Sequence, residues 1–226
     1  MKPERLLFQI NGYFFPIEIL LNQNSFIRNK DLFMTTNYRI ILNSIKKHVL
    51  LNEDEEACFC SFFSQRKVKN KEALLKEGEI ADATFFVNEG CLRSYNIDEN
   101  GFEHILQFAP SGWWIADLYS VISKRPGTLN IDALENSVVL EMKRQDQEKL
   151  FLELPKIERY FRIITENSLV SHRQRLIDNM SLSAPERYEV FCKHYPELIH
   201  SLPQKQIAAY IGVTPEFFSK MKSKMK

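Results

Sequence analysis

Four glycines, Gly78, Gly90, Gly101 and Gly112, fall at intervals of twelve, eleven and eleven residues. Between them run short segments rich in Phe, Val, Ile, Tyr and Leu, such as "ATFFVNEG" and "EHILQFAPSG". Turn signals at this spacing, separating runs of strand length, indicate an antiparallel β-barrel or jelly roll. The strongest is Asp98-Glu99-Asn100-Gly101, a hairpin turn in which Asn-Gly accepts positive φ at low cost. Past a further turn at Pro126-Gly127, Leu129, Ile131 and Ala133 alternate as a strand should, and Val138, Val139, Leu140 and Met142 make another strand.

Helical periodicity flanks this region. Ile41, Ile45 and Val49 recur at helix spacing with Tyr38 and Leu42 beside them, which predicts a short helix. Beyond Arg144 the period lengthens again, and no proline or glycine interrupts the chain from just after Pro155 to Met180. One helix of about seven turns fits. Within it Ile163, Val170 and Ile177 recur every seven residues, and Tyr160, Asn167 and Gln174 each stand three positions earlier. This stripe has two readings: packing on the chain's own β domain, or a parallel homodimer seam in which Asn167 and Gln174 fix register.

With 226 residues the chain has room for one large domain or two modest ones, and two are expected. A 44% hydrophobic content that includes 17 Phe fills a core and excludes global disorder. The net charge of +1 means that any nucleic-acid face must be local. Cys58, Cys60, Cys91 and Cys192 lack C-x-x-C spacing, so a reducing cytoplasm is expected. The apolar start is interrupted by Gln9, Asn11, Pro16 and Glu18. It falls short of the ~20 apolar residues of a membrane helix, and no signal-peptide cleavage pattern follows. Residues 1–33 are expected to be an appendage or a misassigned start preceding Met34.

The C-terminal stretch "LPQKQIAAYIGVTPEFFSKMK" carries the most local information. Gln204–Tyr210 is expected as a helix, Gly212 as the tight turn, Thr214 as the cap of a second helix and Pro215 as its first residue. Ile207, Ile211, Val213, Phe218 and Met221 fall on the inside, and Ala208 sits where two helices cross closely. Upstream, Ser183 caps a helix with Pro185 and Glu186 in its first turn. The pattern is a helix-turn-helix. Seated in a major groove, the second helix would present Thr214, Pro215, Glu216, Ser219, Lys220 and Ser223 to bases, with Lys205, Lys222, Lys224 and Lys226 on phosphates. Glu216 suits the amine of cytosine, and Lys220 suits guanine O6 or N7. The plain alternative for the lysines is a solvated tail.

A glycine-punctuated β-roll, a long connecting helix and a terminal helix-turn-helix, in that order, resemble the Crp/Fnr family of bacterial transcription regulators over residues 34–226. "IAAYIGVTPEFFSKMKSKM" is the most specific piece. The resemblance implies an α+β chain: a cyclic-nucleotide-binding-like jelly roll over 34–150, a connecting and dimerisation helix over 151–181, and a helix-turn-helix domain over 182–226. It implies a homodimer that binds double-stranded DNA, acts with RNA polymerase and takes a small effector of unspecified chemistry in the roll. Glu216 and Lys220 match the family's base- and backbone-contacting residues. Pro215 stands where a cyclic-nucleotide-responsive relative carries arginine, so a different operator is expected.

The effector segment "SGWWIADLYSVISKRPGTLNIDALE" departs further. Cyclic-nucleotide-binding relatives hold the ribose with Gly-Glu and the phosphate with Arg-Ser. Here Ala116-Asp117 and Gly127-Thr128 stand at those places. Asp117 still suits ribose hydroxyls, but the phosphate lacks its cation, and Arg125 falls in the preceding loop. Tight binding of cyclic AMP is not expected. Trp113-Trp114 reads as roll core with one ring exposed, the alternative being that Trp114 is an aromatic wall for an apolar effector. No cofactor or metal site is expected. The cysteines are not placed for an iron–sulfur cluster, the five histidines lack ligand spacing, and only His104 lies among the strands, which disfavours a cupin-type enzyme. A third class, a nucleotide-binding module acting on a partner protein without DNA, would carry the phosphate arginine and lack the helix-turn-helix.

Overall fold

The computed structural model describes residues 7–10, 13–16 and 37–225. β1 (Leu7–Ile10) and β2 (Tyr13–Pro16) form a two-stranded antiparallel ribbon. Met34 and the question of a start there lie outside the described residues.

Helix α1 (37–46) and α2 (Glu53–Ser61) precede the roll. α2 opens on a capping box in which the Asn52 carboxamide accepts from Glu55 N, while the Glu55 carboxylate accepts from Asn52 N. The roll comprises β3 (Ser64–Val68), β4 (Ala73–Leu75), β5 (Ala83–Glu89), β6 (Cys91–Ile97), β7 (Glu103–Pro110), β8 (Trp114–Ile115), β9 (Asn130–Ala133) and β10 (Ser137–Lys143). The short helix α3 (Leu118–Ser123) interrupts it between β8 and β9. Two four-stranded antiparallel sheets result, ordered β3-β10-β5-β8 and β4-β9-β6-β7. The expected hairpin joins β6 to β7: Gly101 has φ +80°, and the Asp98 carboxylate accepts from the amides of Asn100 and Phe102.

β5 is buried at six consecutive positions because both its faces are covered. Phe85 and Val87 join Leu92, Ile115, Ile131 and Val139 in the roll interior. Phe86 faces outward, into a second core with Ile41, Ile45, Phe59 and Leu150. The single long segment expected over 151–181 is divided. α4 (Arg144–Glu153) and a 3-10 turn (Pro155–Ile157) come first, and the long helix is α5 (Glu158–Ser181), 24 residues. Leu154 and Ile157 are buried in the outer core, so residues 151–157 pack with the roll.

The expected seam on α5 divides as well. Tyr160 is fully buried; its hydroxyl accepts from Trp114 Nε1 at 3.0 Å and lies 3.1 Å from Ser44 Oγ. It belongs to its own chain's core and is unavailable to a second copy. Ile163 is half-buried, whereas Asn167, Val170, Gln174 and Ile177 are exposed. Gln174 donates to Asp178 within its own helix. Leu169, Leu176 and Met180, which the heptad count omitted, expose more apolar surface beside Val170 and Ile177.

α6 (Ala184–His194), α7 (Gln204–Ile211) and α8 (Pro215–Lys224) complete the chain. They do not form a separate core. Phe108 of β7, fully buried, stacks on Tyr210 and meets Phe191 and Tyr195 edge-on, so one cluster runs from the roll into the helices. β7 is an edge strand, and α5 and α7 cover it: Arg175 donates to the carbonyls of Ile105 and Leu106 and to that of Tyr210.

Candidate nucleic-acid interface

α7 ends at Gly212, the C-cap residue, whose φ of +74° is a backbone region glycine enters freely; Val213 N returns to Ala208 O at 3.1 Å. Two residues later Thr214 Oγ1 accepts from Phe217 N at 3.2 Å, and Pro215 takes the first helical position of α8. Ile207, Ala208 and Phe218 are fully buried, Ile211 and Met221 nearly so, and Val213 is half-buried. The Phe218 ring meets Tyr188 of α6 edge-on at 5.2 Å, which fixes the roll of α8 about its axis.

Fixing the inward face determines the outward one. Thr214, Glu216, Ser219, Lys220, Ser223 and Lys224 are exposed, as is Lys205 on α7, while Pro215 is half-buried. Lys222 departs from its expected place. It is half-buried, with its ammonium 5.9 Å above the Tyr188 ring, because it follows the buried Met221 by one residue and lies on the inner flank. Lys226 lies outside the described residues. Phe217 was missed: it is 52% exposed on the outward side. The signal was present in the adjacent pair Phe217-Phe218, whose side chains leave the helix about 100° apart, so that Phe218 facing inward turns Phe217 toward the outer side.

Of the second group of expected residues, in the roll, the structure brings Asp117 and Gly127 together and places Trp114 elsewhere. Trp114 faces away from the roll interior and packs against Phe63, Phe86 and Phe161 in the outer core. Alternation along β8 sends Ile115 inward instead. Trp113 packs between the roll and the C-terminal helices against His194 and Tyr195, so each tryptophan seals a boundary. Asp117 is 2% exposed and serves as the cap of α3, accepting from Ser120 N at 3.1 Å. Its other oxygen is buried without a partner and closes the space a Cβ on Gly127 would need. Ala116 is half-buried, and Arg125 and Thr128 are exposed. Two cavities lie elsewhere: about 360 Å³ beside Arg39, Asn43 and Lys47, and about 200 Å³ between α5, α6 and α7.

A polar cluster that the sequence did not reveal connects the roll to α7. Arg93 of β6, 7% exposed, donates from Nε and Nη2 to both oxygens of Asp132 on β9 at 2.7 and 2.9 Å. Its Nη1 reaches Glu103 at 2.6 Å and the Gln206 side chain of α7 at 2.8 Å. Burial opposes its charge, but the hydrogen bonds it donates to Asp132 and Glu103 outweigh that and hold its pKa above the usual arginine value. Burial pushes the thiols of Cys60 and Cys91 up to about 12; Cys58 and Cys60 sit on α2, and Cys192 sits on α6. Among the described residues no three His, Cys, Asp or Glu side chains form a cluster suited to a metal. No described helix is long and apolar enough to cross a membrane.

The cyclic nucleotide-binding domain family matches residues 65–153. The anaerobic regulatory protein of Haemophilus influenzae is 22% identical over 183 residues, covering 76% of this chain and 70% of that protein. The fold is similar to that of the c-di-GMP-responsive global regulator CLP of Xanthomonas campestris, with TM-score 0.64, 13% identity and coverage of 77% of this chain and 91% of that one. FixK2 of Bradyrhizobium japonicum gives TM-score 0.63 and 20% identity over 72% of this chain and 84% of that one. A roll matched by the cyclic nucleotide-binding domain family, a 24-residue connecting helix and a capped helix-turn-helix with a clear outward face thus occur together, and in this order the chain is similar to Crp/Fnr-type DNA-binding transcription regulators.

Proposed function

We propose that the protein acts as a homodimer in the cytoplasm, sets α8 of each copy into the major groove of a near-palindromic site, and regulates transcription there with RNA polymerase. The observation that carries this reading is α8 itself. Its inner face is locked by Phe218 and Met221, while Glu216, Ser219, Lys220 and Ser223 stand clear of the rest of the chain. In the groove Glu216 accepts from cytosine and Lys220 donates to guanine, and Lys205 and Lys224 face phosphate. Dimerisation is supported by Leu169, Val170, Leu176, Ile177 and Met180, each more than half exposed along one stretch of α5. A second copy of the same helix covers such a stripe, and the two reading heads then meet half-sites about one DNA turn, ~34 Å, apart.

The effector is not cyclic AMP. Asp117 puts a buried, partly unpaired carboxylate beside Gly127, and Arg125 is exposed in the loop after α3, so a cyclic phosphate would find an anion in place of a cation. Calorimetry with cyclic AMP and cyclic GMP tests this directly; micromolar affinity abolished by Arg125→Ala overturns it. For DNA, Lys220→Ala weakens binding to a selected site more than to random duplex, whereas Lys224→Ala weakens both and reduces the salt slope by about one. Identical behaviour of the two variants, or no binding at moderate salt, defeats the assignment.

A further inference from the structure

Phe217 presents a feature that the lysines and Glu216 do not explain. It is the third residue of α8, and its amide is held by Thr214 Oγ1, so its backbone is tied at the capped end of the helix. Its neighbour Phe218 takes the inward place against Tyr188 and leaves the Phe217 ring 52% exposed. At ~100° per residue the outward surface of α8 divides into two rows. Glu216, Ser219 and Ser223 form one; Phe217, Lys220 and Lys224 form the other. An apolar ring thus stands at the head of a cationic row, on the flank of the exposed face about 100° around the helix from buried Phe218, beside the one acidic residue of the first turn.

Deepening the DNA-binding reading above, and resting on it, we propose that Phe217 is a specificity-determining residue that reads thymine by apolar contact with its C5-methyl group. The major groove offers one apolar handle, that methyl, and a phenyl ring with no hydrogen-bonding atoms can select for nothing else on the base edges. A protein partner would also cover an exposed ring. The neighbouring Lys220 and Lys224, however, suit a guanine edge and a phosphate, both of which a groove supplies, and the ring projects from the end of the helix that enters it. The contact needs little ordering, since Phe has two side-chain torsions and its backbone is already capped. Glu216, one residue earlier on the neighbouring row, places a cytosine preference next to the thymine preference, so each half-site is expected to carry both within one or two base pairs.

The test uses full-length protein and duplexes that the wild type itself selects from a randomised library, followed by replacement of each thymine with deoxyuridine, which deletes only the methyl group. The wild type is expected to lose about fourfold in affinity at one thymine per half-site, the equivalent of one buried methyl group. Phe217→Ala binds the thymine and deoxyuridine duplexes equally at that position, and Phe217→Leu retains part of the discrimination. An unchanged salt slope in Phe217→Ala shows that its fold and phosphate contacts persist. If the wild type binds selected DNA but no thymine is sensitive, or if Phe217→Ala keeps the same sensitivity, the role of Phe217 is refuted and the DNA-binding reading stands. Failure of the wild type to select any duplex overturns both.

Discussion

Replacing Arg93 by methionine tests whether the roll and the helix-turn-helix are held by the buried ion cluster or merely lie side by side. The substitution keeps the length and apolar stem of the side chain but deletes the donors to Asp132, Glu103 and Gln206. Asp132, 9% exposed, is then left with one donor, the Tyr95 hydroxyl at 3.2 Å. Glu103 is more accessible, its side chain 24% exposed, and can turn to water. The cost is therefore dominated by one uncompensated buried carboxylate, about 3–5 kcal/mol. Adding Asp132→Leu removes the stranded charge and should recover most of the loss, leaving a coupling energy of about 2–3 kcal/mol. Gln206→Ala cuts only the arm that reaches α7 and costs about 1–2 kcal/mol, with faster amide exchange in α7 than in β9. Equilibrium urea unfolding followed by fluorescence of Trp113 and Trp114 measures the wild type, Arg93→Met, Asp132→Leu, their double variant and Gln206→Ala, at one chain concentration because the stability of any oligomer depends on it. A loss below about 1 kcal/mol for Arg93→Met, or a double variant that loses the sum of the two single changes, refutes the reasoning.

Gly90 and Gly101 both have positive φ, yet their alanine variants should differ. A Cβ on Gly90 would meet Ser137 Oγ and lie 2.9 Å from the Asn136 carbonyl, whereas Gly101 faces open space. Thermal unfolding should show a loss above about 3 kcal/mol for Gly90→Ala and only the left-handed backbone penalty of about 1–2 kcal/mol for Gly101→Ala. Alkylation at pH 8 followed by mass spectrometry should leave Cys60 and Cys91 unmodified in the native protein, because burial lifts both thiols to about 12, and should modify all 4 cysteines after unfolding. The pKa of His194 is depressed, first by burial and then by the charges of Arg175 and His172. The unfolded chain therefore takes up a proton as pH falls through about 6.5 while the folded chain resists, so stability declines over that window and stays lower once the folded value is passed. His194→Gln should flatten the decline; an unchanged slope assigns it to other groups.

What the sequence revealed was whatever local spacing encodes. Turn glycines and a hairpin are decided within four residues, and caps such as Ser183 and Thr214 within three, so the roll and the helix-turn-helix were both legible. What failed depended on which of two faces meets which neighbour. Trp114 was expected in the roll core, with an effector wall as the alternative, but the parity of β8 sends it to the outer core against Tyr160, whose burial there removes it from the expected seam. Asp132 sits in a strand where alternation suggests a solvent-facing carboxylate, and it is buried because Arg93, thirty-nine positions earlier, meets it. Such pairings have no local signature. They also bear on how a regulator of this build can move. A boundary at residue 182 is natural in sequence, but Phe108, Phe191, Tyr195 and Tyr210 form one core across it, and Arg93 and Arg175 pin α7 to the roll. Swinging the reading head away from β7 exposes that cluster and strands those guanidinium contacts together. In the proposed DNA-bound dimer, any rearrangement must therefore either keep α7 on β7, moving roll and reading head as one body about α5, or replace the whole set of contacts with others.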